Sequence, residues 1–300
     1  MINIKGTALL LVTAVGLAAC GSGSDSSQED ATGLLSLGVS DAPIHSAKKV
    51  CITFDDVELK LADEDEPPFL VDLPETKVNL LAFQGMNAAP LLINEEVPAG
   101  EYEWMRLVID ASLGSNGGLG DNVADLDNCT GDASYIVMDD DTVHNIWVPS
   151  GDQTGLKLVD GFTVPINGIA NFTAEWDLMR SMTAPPGLAP DVILKPTIRL
   201  VNNADVGTLT GDVSTDLTDA DGCEPSVFVF EAGITPNPDD EVDDAVATGM
   251  IDSDTNRYEI GFLLAGDYVA AFTCDGMTFV PELGEAVTIG AGDIVELDFE

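Results

Sequence analysis

Asp252-Ser253-Asp254-Thr255-Asn256 sets oxygen ligands at alternate positions, the spacing with which a calcium loop begins. Such a loop needs glycine at its sixth position and a bidentate glutamate at its twelfth, and Arg257 and Leu263 stand there instead. Asp252, Asp254 and Asn256 therefore read first as a polar hairpin turn and second as a calcium site, with no other cofactor suggested. Asp139-Asp140-Asp141, Asp239-Asp240-Glu241 with Asp243-Asp244, and Asp216/Asp219/Asp221 read the same way, as solvated loops. The two histidines, His45 and His144, lie in no metal-ligand spacing, and no Gly-x-Ser-x-Gly elbow accompanies them. His144 sits in the strand-like Val143-His144-Asn145-Ile146-Trp147, and His45 in a surface loop after Asp41-Ala42-Pro43-Ile44. Gly118-Leu119-Gly120 lacks the third glycine of a nucleotide loop. No catalytic residue is assigned and the chain reads as a non-enzyme. Sequence order alone hides a Ser–His–acid group, so a pocket that brings either histidine to a serine and a carboxylate would reopen the matter. Of three tryptophans, Trp176 falls on the apolar parity of its strand, which leaves Trp104 and Trp147 as candidates to stack on a sugar ring.

The remaining reactive side chains are five cysteines. Cys20 ends an N-terminal stretch whose sole charge is Lys5 and whose centre is Ala8-Leu9-Leu10-Leu11-Val12. A basic start, a short apolar middle and a small-residue exit make a secretory signal, too short for the ~20 apolar residues of a membrane span. Leu17-Ala18-Ala19-Cys20 resembles the bacterial lipobox. The resemblance implies a signal peptide over 1–19, cleavage before Cys20, and a thiol and new N-terminus that both carry acyl chains, enough to anchor the protein firmly. Gly21 in place of Asp implies sorting to the outer membrane. Cys51, Cys129, Cys223 and Cys274 remain, an even number in an exported chain, with three ways to pair. The domain division below selects Cys51–Cys129 and Cys223–Cys274.

Composition limits the partners. Eleven basic residues face 53 acidic ones, a net charge of -42, which repels nucleic acid, phosphate and anionic head groups. Yet 45% of the residues are hydrophobic, so the chain can bury a core and must carry its charge outside, an arrangement suited to high salt. The partners expected are the membrane, through the lipid, and a glycan or an envelope protein. Oligomeric state is not legible.

These residues must be positioned by strands. After a flexible tether, residues 20–32 with no large apolar side chain and a reach of ~20 Å, alternation begins. Ala170, Phe172, Ala174, Trp176 and Leu178 share one parity, as do Val192, Leu194, Ile198 and Leu200. Val50, Ile52 and Phe54 share one parity and Val57, Leu59 and Leu61 the other, which predicts a β-bulge at Asp55-Asp56. Pro67-Pro68, Pro98-Ala99-Gly100, Gly114 to Gly120 and Pro185-Pro186-Gly187 are loops. Only Leu80–Met86 and Leu178–Met182 read as short helical turns. The expectation is an all-β protein of two β-sandwich domains in tandem, residues 33–204 and 205–300.

Leu35 to Pro43, Val50 to Leu59, Val97 to Leu107, Gly155 to Leu158, Trp176 to Arg180 and Leu194 to Leu200, in that order, resemble a bacterial lipoprotein family catalogued as a domain of unknown function. The resemblance implies a compact exported domain and no reaction. In the second region, Ala247 through Asp252-Ser253-Asp254-Thr255-Asn256 to Leu264-Ala265-Gly266-Asp267-Tyr268 resembles carboxypeptidase-regulatory-like domains, which implies a small transthyretin-like sandwich with a structural or adhesive role. Ala265-Gly266-Asp267-Tyr268 also echoes Ala99-Gly100-Glu101-Tyr102, as though both sandwiches turn one corner alike. Taken together, the sequence describes a lipid-anchored, non-catalytic protein with a binding, adhesive or envelope-structural role; the alternative is a carbohydrate-binding surface module assisted by calcium.

Overall fold

A computed structural model describes residues 31–42, 44–45, 47–62, 67–111, 129, 134–148, 156–183, 192–195, 197–236 and 244–300. The signal segment, Cys20, the tether as far as residue 30, the Gly114–Gly120 run, Pro185–Gly187 and the acidic Asp239–Asp243 lie outside them; Thr32, expected in the tether, already pairs with Pro98 as the first residue of a strand. Residues 31–300 form one compact unit.

The first part of that unit contributes β1 (Thr32–Ala42), β2 (Ala47–Leu61), β3 (Phe69–Asn79), β4 (Ala89–Pro98), β5 (Gly100–Ile109), β6 (Tyr135–Met138) and β7 (Val143–Trp147). It continues with β8 (Leu156–Leu158), β9 (Phe162–Val164), β10 (Ile169–Asp177), the helical turn α1 (Leu178–Ser181), β11 (Met182–Thr183), β12 (Val192–Leu194) and β13 (Ile198–Asn202). One sheet runs β13-β10-β1-β4, with β1 and β10 parallel. The facing sheet runs β11-β12-β7-β6-β2-β5-β8, with β3 added to β2 and β9 to β5. Period-two alternation explains the core between them: Leu35, Leu37 and Val39 of β1 and Ala174 and Trp176 of β10 point inward with Ile52, Phe54, Val57 and Leu59 of β2.

The second part contributes β14 (Val206–Asp212), the helical turn α2 (Thr215–Thr218), β15 (Ser226–Glu231), β16 (Ala245–Met250), β17 (Arg257–Leu264), β18 (Gly266–Thr273), β19 (Phe279–Ile289) and β20 (Ile294–Glu296). Its sheets run β17-β14-β20 and β16-β15-β18-β19 and enclose a core of Leu209, Val227, Val229, Tyr258, Ile260, Leu263 and Phe272. Among the described residues no strand pairs across the two parts.

The all-β expectation is met. The register of β2 against both β3 and β5 shifts between Phe54 and Asp56, which is the bulge read from the parity change. Disulfides join Cys51 to Cys129 and Cys223 to Cys274. The helical stretches shrink to a single 3-10 turn, Leu80–Ala82, and to α1, which Asp177 caps by accepting from the Arg180 amide. One expectation is corrected. Val192 to Leu200 is not one strand: β12 and β13 belong to different sheets. Pro196, between them, has no amide to donate to a ladder, so the alternation on its two sides serves two sheets.

The seam between the two parts is both apolar and polar. Met179 packs on Phe228, Phe230 and Phe279, and Ala88 and Val201 pack with Val206 and Phe262. Gly85 and Gly261 meet backbone to backbone, where any side chain on Gly261 would strike the Gly85 carbonyl. The Met86 amide donates to Glu259 Oε1 (3.0 Å), and the Arg180 guanidinium donates to the Ala245 carbonyl.

Candidate functional site

A cleft of about 560 Å³ opens at this seam, in the range of small-ligand sites. Gln84, Gly85 and Asn87 form one wall, and Thr210, Met250 to Ser253, Thr255 and Arg257 to Glu259 the other. The positions follow from local structure. Gly85 takes a positive φ of 62° to turn the chain after the 3-10 turn, and Gln84 and Asn87 are tied to that turn through the Leu81 and Gln84 carbonyls. On the other wall β16 and β17 are joined by the Asp252 turn.

In that turn one oxygen, Asp252 Oδ1, accepts from the Asp254 amide (3.0 Å), the Thr255 amide (2.8 Å) and the Thr255 hydroxyl (2.9 Å). These bonds hold the carboxyl below its usual range. Asn256 takes a positive φ of 55°, and its amide bonds to the Asp252 carbonyl. The aspartate thus works as a turn former, with Oδ2 left for a ligand. Next to it Arg257 bridges Asp212 (2.9 Å) and Glu296 (3.4 Å). Asp212, Glu296 and Asp298 bring carboxylate oxygens within 4.8 Å of one another, the one such group among the described residues, and all three are exposed. Sequence reasoning missed this cluster because it comes from β14 and the chain end, strands paired only by the fold; no spacing signals it.

The other sequence-derived residues are scattered. Trp104 is 9% exposed on the outer face of β5, and the Arg106 guanidinium and Lys157 ammonium lie 4.9 Å and 4.6 Å from its ring centre. Those cations already use its π-face. Trp147, half-buried, ends β7 beside Ile193 of β12. Trp176 is fully buried. None of the three lines the cleft.

His144 is a β7 residue near the Thr142 hydroxyl (3.2 Å). His45 is not the plain surface loop residue expected: it is half-buried at the seam, with Nε2 2.7 Å from Ser226 Oγ of β15. Burial lowers its pKa, partly offset by Glu224. Here the fold does bring a histidine to a serine. The Ser226 hydroxyl also lies 3.2 Å from the Glu224 carbonyl, and the histidine tautomer sets which group donates in the short contact. Ser226 is only 2% exposed, so its hydroxyl is closed to a substrate in this arrangement. The pair joins the two sandwiches.

Packed sheets around two separate apolar cores define an all-β protein of the sandwich class. The match to a family model is more specific. The chain belongs to the family described as Domain of unknown function (DUF4382), whose model matches residues 32–196, more than half of its length. That match begins with β1 and stops after β12, outside β13 and the whole second part. No curated protein matches the sequence. Among solved structures, the chain is similar to the Bacillus anthracis TIE protein, at 11% identity and a TM-score of 0.23, covering 90% of this chain and 34% of the other. It thus spans about a third of that protein. Other similar structures are GBS52, the minor pilin of Streptococcus agalactiae (12% identity, 88% and 94% covered, TM-score 0.22), and BcpA, the major pilin subunit of Bacillus cereus (8%, 90% and 99%, 0.20). At such scores these likenesses carry no argument about function.

Proposed function

We propose that this chain is an exported, non-catalytic lipoprotein, anchored through Cys20 and acting as a binding, adhesive or envelope-structural module. The observation that carries the reading is the cysteine pairing. Both Cys51–Cys129 and Cys223–Cys274 are closed, as suits an oxidising compartment, and Cys20 is the odd cysteine left for another chemistry. In this reading residues 1–19 are the signal peptide and 20–32 the lipidated cysteine and tether. Residues 33–204 and 205–300 are the two sandwiches, the second one carboxypeptidase-regulatory-like, and the outer membrane is the destination. The use of His45 and Ser226 as a fastening agrees with a role that needs no turnover. Globomycin should leave the precursor uncut, and Cys20→Ser should release the protein from membranes; unchanged processing and membrane retention would defeat the anchor.

A second reading is a glycan-binding module. It is favoured by the seam cleft, whose amides, hydroxyls and carboxylates (Gln84, Asn87, Ser253, Asp252, Glu259) suit a polyhydroxylated ligand better than the covered Trp104 ring. Glycan-array binding by the full chain that Gln84→Ala and Asn87→Ala abolish and Trp104→Ala spares would support it, and no retained glycan in calcium or EDTA would remove it.

A further inference from the structure

The seam buries more carboxylate than it neutralises. Asp41 closes β1, and Glu175 and Asp177 close β10, its parallel neighbour, with Asp41 in register with Trp176 and Ala42 with Asp177. Asp41 is 3% exposed, Glu175 5% and Asp177 3%. Two cations face them. Arg199 of β13 donates to Glu175 Oε2 through Nε (3.1 Å) and through a terminal nitrogen (2.7 Å). Arg180 of α1 lies 3.9 Å from Asp177 and also binds the second sandwich at Ala245. Asp177 Oδ1 accepts the Arg180 amide, while Oδ2 has no hydrogen-bond partner.

Asp41 is worse served. Neither of its oxygens has a partner of full hydrogen-bond geometry, and the nearby Leu178 amide only partly offsets the burial. The indole N–H of Trp176 is likewise unpartnered, and the Thr248 hydroxyl of β16, beside Asp177, favours the charged form of that acid. Ser40, the preceding side chain, spends its hydroxyl on the Phe83 and Asn87 carbonyls. On the second sandwich β16 packs against β1, and beyond the turn after β1 the titratable neighbours are His45 and Glu224. Three buried carboxylates thus meet two guanidinium groups that are themselves partly exposed. An ionised carboxylate with as little compensation as Asp41 is costly there, and a bound proton removes the charge.

We propose that Asp41 is a proton-binding group of the seam, coupled to Glu175 and Asp177, and that its ionisation loosens the contact between the two sandwiches. Burial is the leading cause that raises all three acids above the usual carboxylate range, and Glu175 reaches about 7 in spite of Arg199. An acid raised in the folded state contributes stability that is complete below its unfolded pKa and is lost as pH climbs through the folded value. For Glu175 that window runs from 4.5 to about 7. His45 acts in the opposite sense: its lowered pKa makes acid, not base, unfavourable. The seam therefore tightens as pH falls toward 6.5 and meets a histidine penalty below it. Ordinary carboxylates are already ionised above pH 6, and His45 shifts stability in the opposite direction, so a fall in stability from pH 6 to 8.5 reports the buried acids.

The test uses the full-length protein in detergent, melted at pH 6, 7 and 8.5 with tryptophan fluorescence as readout. The wild-type Tm should fall by about 3 °C or more across that range. Asp41→Asn, which keeps the shape and cannot ionise, should melt higher than wild type at pH 8.5 and lose at least about half of the slope. Equal slopes would overturn the proposal. So would a wild-type slope that calcium abolishes or EDTA steepens, since a metal ion and not a proton would then sit at Asp41. Native-state hydrogen exchange of the wild type keeps the test decisive if the variant does not fold. Protection in β10 and β16, corrected for intrinsic rates, should drop about tenfold from pH 6 to 8.5 while β18 holds; unchanged protection in β10 and β16 would equally refute it.

Discussion

At the scale of single residues, the side chains with the most chemistry are mostly committed to holding the structure. Asp252 shows how. Three donors converge on one oxygen, so the residue shapes the turn whether or not an ion visits Oδ2. Asp252→Ala should lower stability, read as a drop of ~2–4 °C in Tm at neutral pH. Because the carboxyl is held below its usual range, the difference between variant and wild type should fade as acid protonates it, the reverse of the pattern expected at Asp41. Calcium that raises the wild-type Tm and leaves Asp252→Ala unmoved would give the ion a place in this turn. Trp104 is a similar case. With Arg106 and Lys157 over its ring, Trp104→Ala should reduce stability by about 2–3 kcal/mol without weakening retention on any glycan the protein binds.

At the scale of elements, both sandwiches repeat one device. The Tyr102 hydroxyl donates to the Pro98 carbonyl (2.5 Å) and the Tyr268 hydroxyl to the Leu264 carbonyl (2.7 Å), each four residues back across an Ala-Gly turn. The echo between Ala99-Gly100-Glu101-Tyr102 and Ala265-Gly266-Asp267-Tyr268 therefore has a shared physical cause: a ring that pins the corner from which its strand starts. Tyr102→Phe and Tyr268→Phe should each cost about 1 kcal/mol in chemical denaturation, more at the buried Tyr102. Burial pushes Tyr102 up to about 12, so its contribution is complete below pH 10 and disappears as pH rises toward 12; the Tyr102→Phe chain should lack that alkaline loss. The bulge at Asp55-Asp56 was readable for a related reason, since an extra residue reverses which parity faces the core. The separation of β12 from β13 was not, because alternation reports a buried face and not which sheet owns it.

At the scale of the molecule, the seam decides behaviour. Gly261→Ala puts a methyl group against the Gly85 carbonyl and should part the sandwiches there, with faster proteolysis between residues 200 and 206 and a Tm lower by several degrees. Reducing the disulfides should cost more, roughly 4 kcal/mol for each loop in the chain-entropy model, measured as a lower denaturant midpoint with dithiothreitol present. By itself the amino-acid order determined the all-β class, the bulge, the burial of Trp176 and the acidic exterior, because each rests on local periodicity, parity or charge count; the cysteine partners followed from dividing the chain into two halves with two cysteines each. Only the tertiary structure decided that His45 meets Ser226, that Asp212, Glu296 and Asp298 converge, that Arg106 and Lys157 cover Trp104, and that Asp41 is buried without a partner. His45 and Ser226, Lys157 and Trp104, and Asp212 and Glu296 stand tens to hundreds of positions apart, and alternation tells a side chain which way to face without telling it what it will find there.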